Sequence, residues 1–107
     1  SLDMEVPGEL PGTLYKLYDF VYYQLQQAFG WNAYKKVFAE YRDLATSERP
    51  KNDDEKRDQW MVRFSRAVGK NLGPFFEGWG VPTSKAARES VKDLPKWLPE
   101  GFPPKSG

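Results

Sequence analysis

Trp60-Met61-Val62-Arg63-Phe64-Ser65-Arg66-Ala67-Val68-Gly69-Lys70-Asn71-Leu72-Gly73-Pro74-Phe75-Phe76-Glu77-Gly78-Trp79-Gly80-Val81-Pro82 is the stretch that decides the fold. Its first half has helical period. Trp60, Met61, Phe64, Ala67, Val68 and Leu72 recur at three- and four-residue steps and form one buried arc. Asn71-Leu72-Gly73 then ends that helix, and Pro74 opens a short one at the position where a missing N–H costs nothing. Phe75, Phe76 and Trp79 crowd into the short helix before Gly80-Val81-Pro82 stops it. So much apolar bulk among helix breakers predicts a corner on which longer helices pack. Trp79 is expected in the core, where Trp79→Ala would cost about 3–5 kcal/mol. Ser65 and Gly69, four residues apart, predict a smooth notch for another helix.

Upstream, residues 1–12 hold Pro7-Gly8 and Pro11-Gly12 and read as an irregular lead-in. Thr13 is placed to cap a helix over 13–29, which Gly30 stops in the left-handed region. Leu14, Leu17, Tyr18, Val21, Leu25, Ala28 and Phe29 share its core arc. Phe20 and Tyr23 lie on the other side, with Lys16 and Gln27. They are either scattered surface aromatics or a second face that meets a partner, and they are the candidate docking residues. Asn32 is read as the N-cap of a helix over 32–44, with Trp31 stapled over Val37 or its neighbours. Tyr34, Val37, Phe38, Tyr41 and Leu44 make its apolar stripe. Glu40 and Asp43 share a flank as a catalytic pair would, but Lys36 sits one turn from Glu40, which favours solvated ion pairing.

After a polar loop, Asn52 caps a third helix over 52–72, with Glu55 completing a capping box. Asp53, Asp54, Glu55 and Asp58 gather in its first turns, where acids suit the helix dipole, and the Asp-x-Asp-x-Asp-Gly spacing of a calcium loop is absent. Arg63, Arg66 and Lys70 form a candidate basic stripe near its end. The short helix spans 74–79, and Thr83 or Ser84 caps a last one over 84–93 that Pro95 ends. Trp97 and Leu98 are expected to dock as an extended clip, with 99–107 a loose tail. No stretch alternates at period two. The fold class is therefore all-α. It is a single domain over 13–98, a small bundle of about four to five helices with an aromatic-rich corner and an extended C-terminal tail.

Composition bounds the chemistry. At 107 residues the chain makes one domain and buries roughly 65% of its unfolded surface. Sixteen Lys and Arg oppose fifteen Asp and Glu, so no overall field draws in nucleic acid or an anionic membrane. There is no cysteine and no histidine, which removes disulfides, thiol nucleophiles and the usual triad base and zinc ligand. No Gly-x-Gly-x-x-Gly turn follows a strand, and no apolar run approaches the ~18 residues of a membrane span. Ser84 and Lys85 are sequence neighbours that do not face each other, so they make no dyad. The chain opens Ser1-Leu2-Asp3 without an initiator Met and reads as a piece of something longer, with Ser1 either native or a cloning remnant.

Three blocks carry a family resemblance. They run from Leu25 to Tyr41, from Asp54 to Val68, and from Asn71 to Pro82, within a region from Leu14 to Leu98. Phe29-Gly30-Trp31 and the Asn71-Leu72-x-Pro74-Phe75-Phe76-x-x-Trp79-Gly80-x-Pro82 pattern are its specific features. Together they resemble the C-terminal helical part of enhancin-like metallopeptidases, zincins that attack mucins and other glycoproteins. The resemblance implies a parent enzyme that is secreted or at the cell surface and uses zinc to activate water. Its His-Glu-x-x-His motif and later Glu ligand would lie upstream and do not occur here, so no catalytic or metal-binding residue is carried over. This chain is expected to hold no cofactor and to be inert alone. Its expected partners are the upstream catalytic subdomain and the parent's glycoprotein substrate, with no nucleic acid and no transmembrane segment. The corresponding structural corner is Phe29, Trp31, Asn71, Pro74, Phe75, Phe76, Trp79 and Pro82. The alternative is a free-standing helical module that binds protein or glycan through Phe20, Tyr23 and the basic stripe.

Overall fold

The structure, a computed structural model, describes residues 12–102, with side chains from residue 19 onward. Five α-helices follow in order: α1 (Gly12–Phe29), α2 (Trp31–Arg42), α3 (Asp53–Val68), α4 (Gly73–Gly78) and α5 (Lys85–Ser90), with a 3-10 turn at Thr46–Glu48. Among the described residues no strand forms. An isolated parallel bridge joins Asn71 to Lys96. The fold is all-α, with α3 packed against α2 on one side and α5 on the other, and α1 against α2.

One apolar core serves every helix. Val21 and Leu25 from α1, Tyr34 and Val37 from α2, and Trp60, Met61 and Phe64 from α3 meet Leu72, Phe75 and Phe76 at the corner. Phe64 and Phe75 are almost wholly removed from water, and each such burial contributes roughly 1.5–3 kcal/mol. Rings organise the α2–α3 seam: Trp60 stacks on Phe64 at 4.9 Å, and Phe64 meets Tyr34 edge-on at 5.0 Å. The Tyr34 hydroxyl donates to the Tyr22 carbonyl of α1, so one side chain grips two helices.

The helix ends differ from the sequence reading for local reasons. α1 is already helical at Thr13, so Thr13 is not its N-cap, and Leu14, Leu17 and Tyr18 lie outside the described side chains. Ala28 is exposed rather than core. Gly30, at φ 85°, turns the chain straight back into α2, leaving Trp31 in its first turn and no room for an Asn32 cap. Trp31 packs on the Tyr34 ring at 5.3 Å. α2 ends at Arg42, two residues short of the expected 44.

α3 stops at Val68 rather than at 72, because Gly69 takes the left-handed conformation at φ 71°. An added Cβ at Gly69 would meet no atom within 4 Å, so the residue is a helix stop and not part of a notch. Its expected companion Ser65 is fully buried, and its hydroxyl accepts the Leu72 N–H at 3.0 Å. Asn52 does cap α3, accepting from Glu55 N–H at 2.9 Å. Ser84 caps α5 by accepting from Ala87 N–H at 3.1 Å, and α5 ends at Ser90 rather than at 93.

The tail is a strap that returns to the corner. Asn71 N–H donates to the Pro95 carbonyl at 2.7 Å, and Trp97 N–H donates back to the Asn71 carbonyl at 3.1 Å. Trp97 packs between Phe29 at 4.8 Å and Phe75 at 5.2 Å, whereas Leu98 stays exposed. Phe102, expected in a loose tail, is half-buried against Phe75 and Trp79. Gly78 makes room for it, since an added Cβ there would lie 2.5 Å from the Phe102 ring. Residues 103–107 of that tail, and residues 1–11 of the lead-in, lie outside the described residues.

Candidate docking surface

Helix α1 presents one face to the core through Val21 and Leu25 and another to solvent. The solvent side carries Phe20 and Tyr23, exposed by 57% and 59%. Phe20 lies parallel to the Trp79 ring at 6.2 Å. Trp79 is half-buried rather than core, and its indole N–H donates to Gln24 Oε1 at 2.7 Å. That bond ties α4 to the flank of α1. From Phe20 the rings then run on in contact, through Trp79, Phe102, Phe75 and Trp97 to Phe29, with centroid steps of 4.8 to 6.2 Å.

The other corner residues sit where backbone geometry needs them. Pro74 is in the first turn of α4, and Asn71 Oδ1 accepts the Gly73 N–H at 2.9 Å just ahead of it. The exposed Pro82 turns its carbonyl to Arg57 Nε, which donates at 3.1 Å. Two signals in the sequence mark this side of the molecule. No charged residue occurs from Phe20 to Tyr34, in a chain where 29% of residues are charged. Gly78, which has ordinary backbone angles, lacks a side chain where Phe102 approaches.

Two residues of the basic stripe are paired with acids of the bundle. Arg63 pairs with Glu40 at 3.1 Å and lies over the Tyr41 ring at 5.1 Å, so Glu40 reaches across to α3 instead of pairing with Lys36. Arg66 pairs with Asp93 at 3.4 Å and donates to the Ser90 carbonyl. Lys70 is half-buried beyond the helix stop. Between α3 and α5 lies an open groove of about 640 Å³ lined by Glu40, Asp58, Val62, Arg63, Arg66 and Ala87, among others. Its two carboxylates balance its two guanidiniums, which gives an anion no net attraction.

Burial pushes the Tyr41 hydroxyl up to about 12, partly offset by Arg63, and raises Tyr34 further. Neither group is poised for proton transfer near neutral pH. The acids at the start of α3 are spent locally, with Asp53 near Lys56, Asp54 on Arg57, and Asp58 accepting the Ser84 N–H at 2.8 Å. The zinc implied by the resemblance finds no ligand set here. The chain has no His or Cys, and among the described residues no three candidate side chains gather closely enough to hold a metal ion. The described residues do not fit a zinc centre.

Comparisons with known proteins agree on kinship. Over 76 residues the chain is 49% identical to TRPM8 channel-associated factor 3 of Mus musculus and 46% identical to TRPM8 channel-associated factor 2 of Homo sapiens. Each match covers 71% of this chain and only 8% of the relative. A crystal structure of a conserved protein of unknown function from Bacillus anthracis str. Ames superposes with a TM-score of 0.67 at 37% identity. It covers 72% of this chain and 16% of that one. Residues 15–80 match the family described as Peptidase M60, enhancin and enhancin-like, and on this footing the chain belongs to that family.

Proposed function

We propose that the chain is a non-catalytic helical subdomain of a longer enhancin-like zinc metallopeptidase acting on mucin-type or other glycoproteins, and that it braces the catalytic subdomain. The observation that carries this reading is the outer face of α1, where Phe20 and Tyr23 stand exposed in a stretch without charge. Interface cores are depleted in charge and rich in aromatic residues. The chain spans 8% of its curated relatives and 16% of the solved one, so ample polypeptide exists in proteins of this kind to cover that face. In this reading zinc and its ligands belong to the remainder of the polypeptide, and these residues supply rigid support. The setting is extracellular or at the cell surface.

The test compares the 107-residue chain with a longer polypeptide that contains it, by zinc content and by cleavage of a mucin-type glycoprotein. Zinc and cleavage are expected in the longer protein and absent from the 107-residue chain. Phe20→Ser with Tyr23→Ser in the longer protein should lower cleavage roughly tenfold or more, the loss of about 1.4 kcal/mol of positioning, with zinc retained. A longer polypeptide that binds no zinc and cleaves nothing refutes the peptidase reading.

A second reading rests on the relatives' names, which describe factors associated with the TRPM8 channel. The same α1 face would then serve a free-standing module whose partner is a protein. Co-purification of the 107-residue chain with that channel, lost in the Phe20→Ser, Tyr23→Ser variant, would favour it over the brace.

A further inference from the structure

We infer that the outer face of α2 rests on an anionic lipid surface, with Lys35, Lys36 and Arg42 against the headgroups and the Trp31 ring at the boundary with water. This goes beyond the brace reading, concerns a different helix and does not depend on it.

Helix α2 turns Tyr34 and Val37 to the core. The other side follows from the advance of about 100° per residue. Trp31, Lys35 and Arg42, at i, i+4 and i+11, fall within about 40° of one another, and Asn32 and Lys36 continue the same outward arc. All five are exposed, Trp31 by 45%. Glu40, the sole acid from Phe20 to Arg42, is drawn across to Arg63 at 3.1 Å, which leaves Lys36 unneutralised one turn away. Asp43 follows only as the C-cap. On α3 and around α5, by contrast, Lys56, Arg57, Arg66 and Lys92 are each paired with an Asp or Glu. The chain carries a net charge of +1 and so has no general field, and the attraction on α2 is local.

Charge complementarity calls for an anionic partner. The face is the convex side of a helix. Neither the groove between α3 and α5 nor the smaller one beside Pro82 is lined by Trp31, Lys35, Lys36 or Arg42. Lipid headgroups conform to a convex surface and need no pocket. Trp31 narrows the class further. Tryptophan beside Lys and Arg is the composition found at membrane boundaries, where the ring sits at headgroup level and the cations meet anionic lipid. A duplex phosphate backbone would use the cations alone. At 12 residues α2 is too short to cross a bilayer, so it lies on the surface. Each basic side chain next to an anionic leaflet raises binding roughly fivefold, so three together give on the order of 100-fold.

Co-sedimentation of the 107-residue chain with vesicles tests the inference. Vesicles of phosphatidylcholine with about 30% phosphatidylserine should bind the chain, and phosphatidylcholine alone should not. Binding should be lost in about 1 M salt, where the Debye length is about 3 Å. Lys35→Gln with Lys36→Gln and Arg42→Gln should lower partitioning on the order of 100-fold. Lys85→Gln with Lys92→Gln and Lys96→Gln removes the same charge from other exposed positions and should lower it less than about fivefold. Equal losses in the two triple variants would mean diffuse adsorption and overturn the inference, as would no binding to the anionic vesicles. Tighter binding of a DNA duplex or of polyglutamate through the same three residues would make the partner a nucleic acid or an acidic protein, and would overturn the lipid assignment. Lipids with brominated acyl chains give an arm independent of charge. They should quench emission from the bound chain, and Trp31→Phe should remove most of that quenching, because Trp60 is buried and Trp79 and Trp97 are half-buried. Quenching that persists in Trp31→Phe would put another face on the bilayer and overturn the inference.

Discussion

Asn71→Ala isolates one buried hydrogen bond at the point where α3, α4 and the strap meet. Asn71 is 7% exposed, and its Oδ1 accepts the Gly73 N–H at 2.9 Å. That donor lies in the first turn of α4 and has no partner within its own helix. Alanine leaves it buried and unpaired, which costs about 1–3 kcal/mol. The same bond also acts as the cap of α4, so a separate capping term is not added to it. A loss of about 2 kcal/mol is expected, equivalent to a fall in Tm of roughly 8–16 °C for a domain of this size. Urea unfolding followed by tryptophan fluorescence should show a lower midpoint with an unchanged slope. The strap is held by the main chain of Asn71, not by its side chain, so the Trp97 amide should stay protected from hydrogen exchange while Gly73 loses protection. A loss below about 0.5 kcal/mol, with Gly73 still protected, would show that the side chain is no cap and that the corner is organised otherwise.

Gly78→Ala places a Cβ 2.5 Å from the Phe102 ring, and the ring, being a side chain, gives way. Trp79 emission should shift to longer wavelength while net stability changes by only about 1 kcal/mol, because alanine's better helix propensity offsets the lost ring contact; an unshifted spectrum would mean Phe102 does not rest there. Trp79→Phe keeps an aromatic ring beside Phe20 but deletes the 2.7 Å bond to Gln24, so chemical denaturation should reveal a loss of about 1–2 kcal/mol, well short of a core truncation. Alkaline titration probes Tyr41, whose hydroxyl ionises at about 12 in the fold against ~10 in the unfolded chain. Between those values the unfolded chain holds fewer protons, so stability should fall as pH rises from about 10 towards 12. Tyrosinate absorbance should show Tyr41 and Tyr34 ionising well above the ~10 of a free phenol, and ionisation of both near 10 would contradict their burial.

Helix periodicity made the bundle legible. The arc on α3 places Trp60, Met61 and Phe64 in the core and the stripe on α2 places Tyr34 and Val37 there, with Phe38 and Tyr41 packed against it, because burial is decided by which side of a helix a residue occupies. Ends were harder to read. Gly69 and Gly73 are both credible stops for α3, and only the backbone conformation at Gly69 shows which one acts. Asn32 carried a strong cap preference that lost to the Gly30 turn, which leaves Gly30 as the single non-helical residue between α1 and α2. Glu40 had a partner one turn away and took one on another helix, a choice no local pattern encodes. Phe20 and Tyr23 stood out as aromatics off the core arc, whereas Phe102 did not, since its socket is assembled from Gly78, Phe75 and Trp79 far from it in sequence.

The single-residue joint at Gly30 makes the bundle mechanically stiff. A longer linker would let α1 swing against α2 on loop motions. Here one glycine at φ 85° sets the angle, and its N–H is already bound to the Gln26 carbonyl at 2.8 Å. The Tyr34 hydroxyl holds α1 a second time, while its ring is wedged against Phe64 of α3. A load applied to the outer side of α1 therefore passes into α3 without an intervening hinge. Displacing α1 means breaking that grip and opening the core beneath it, so the bundle yields as a unit or not at all.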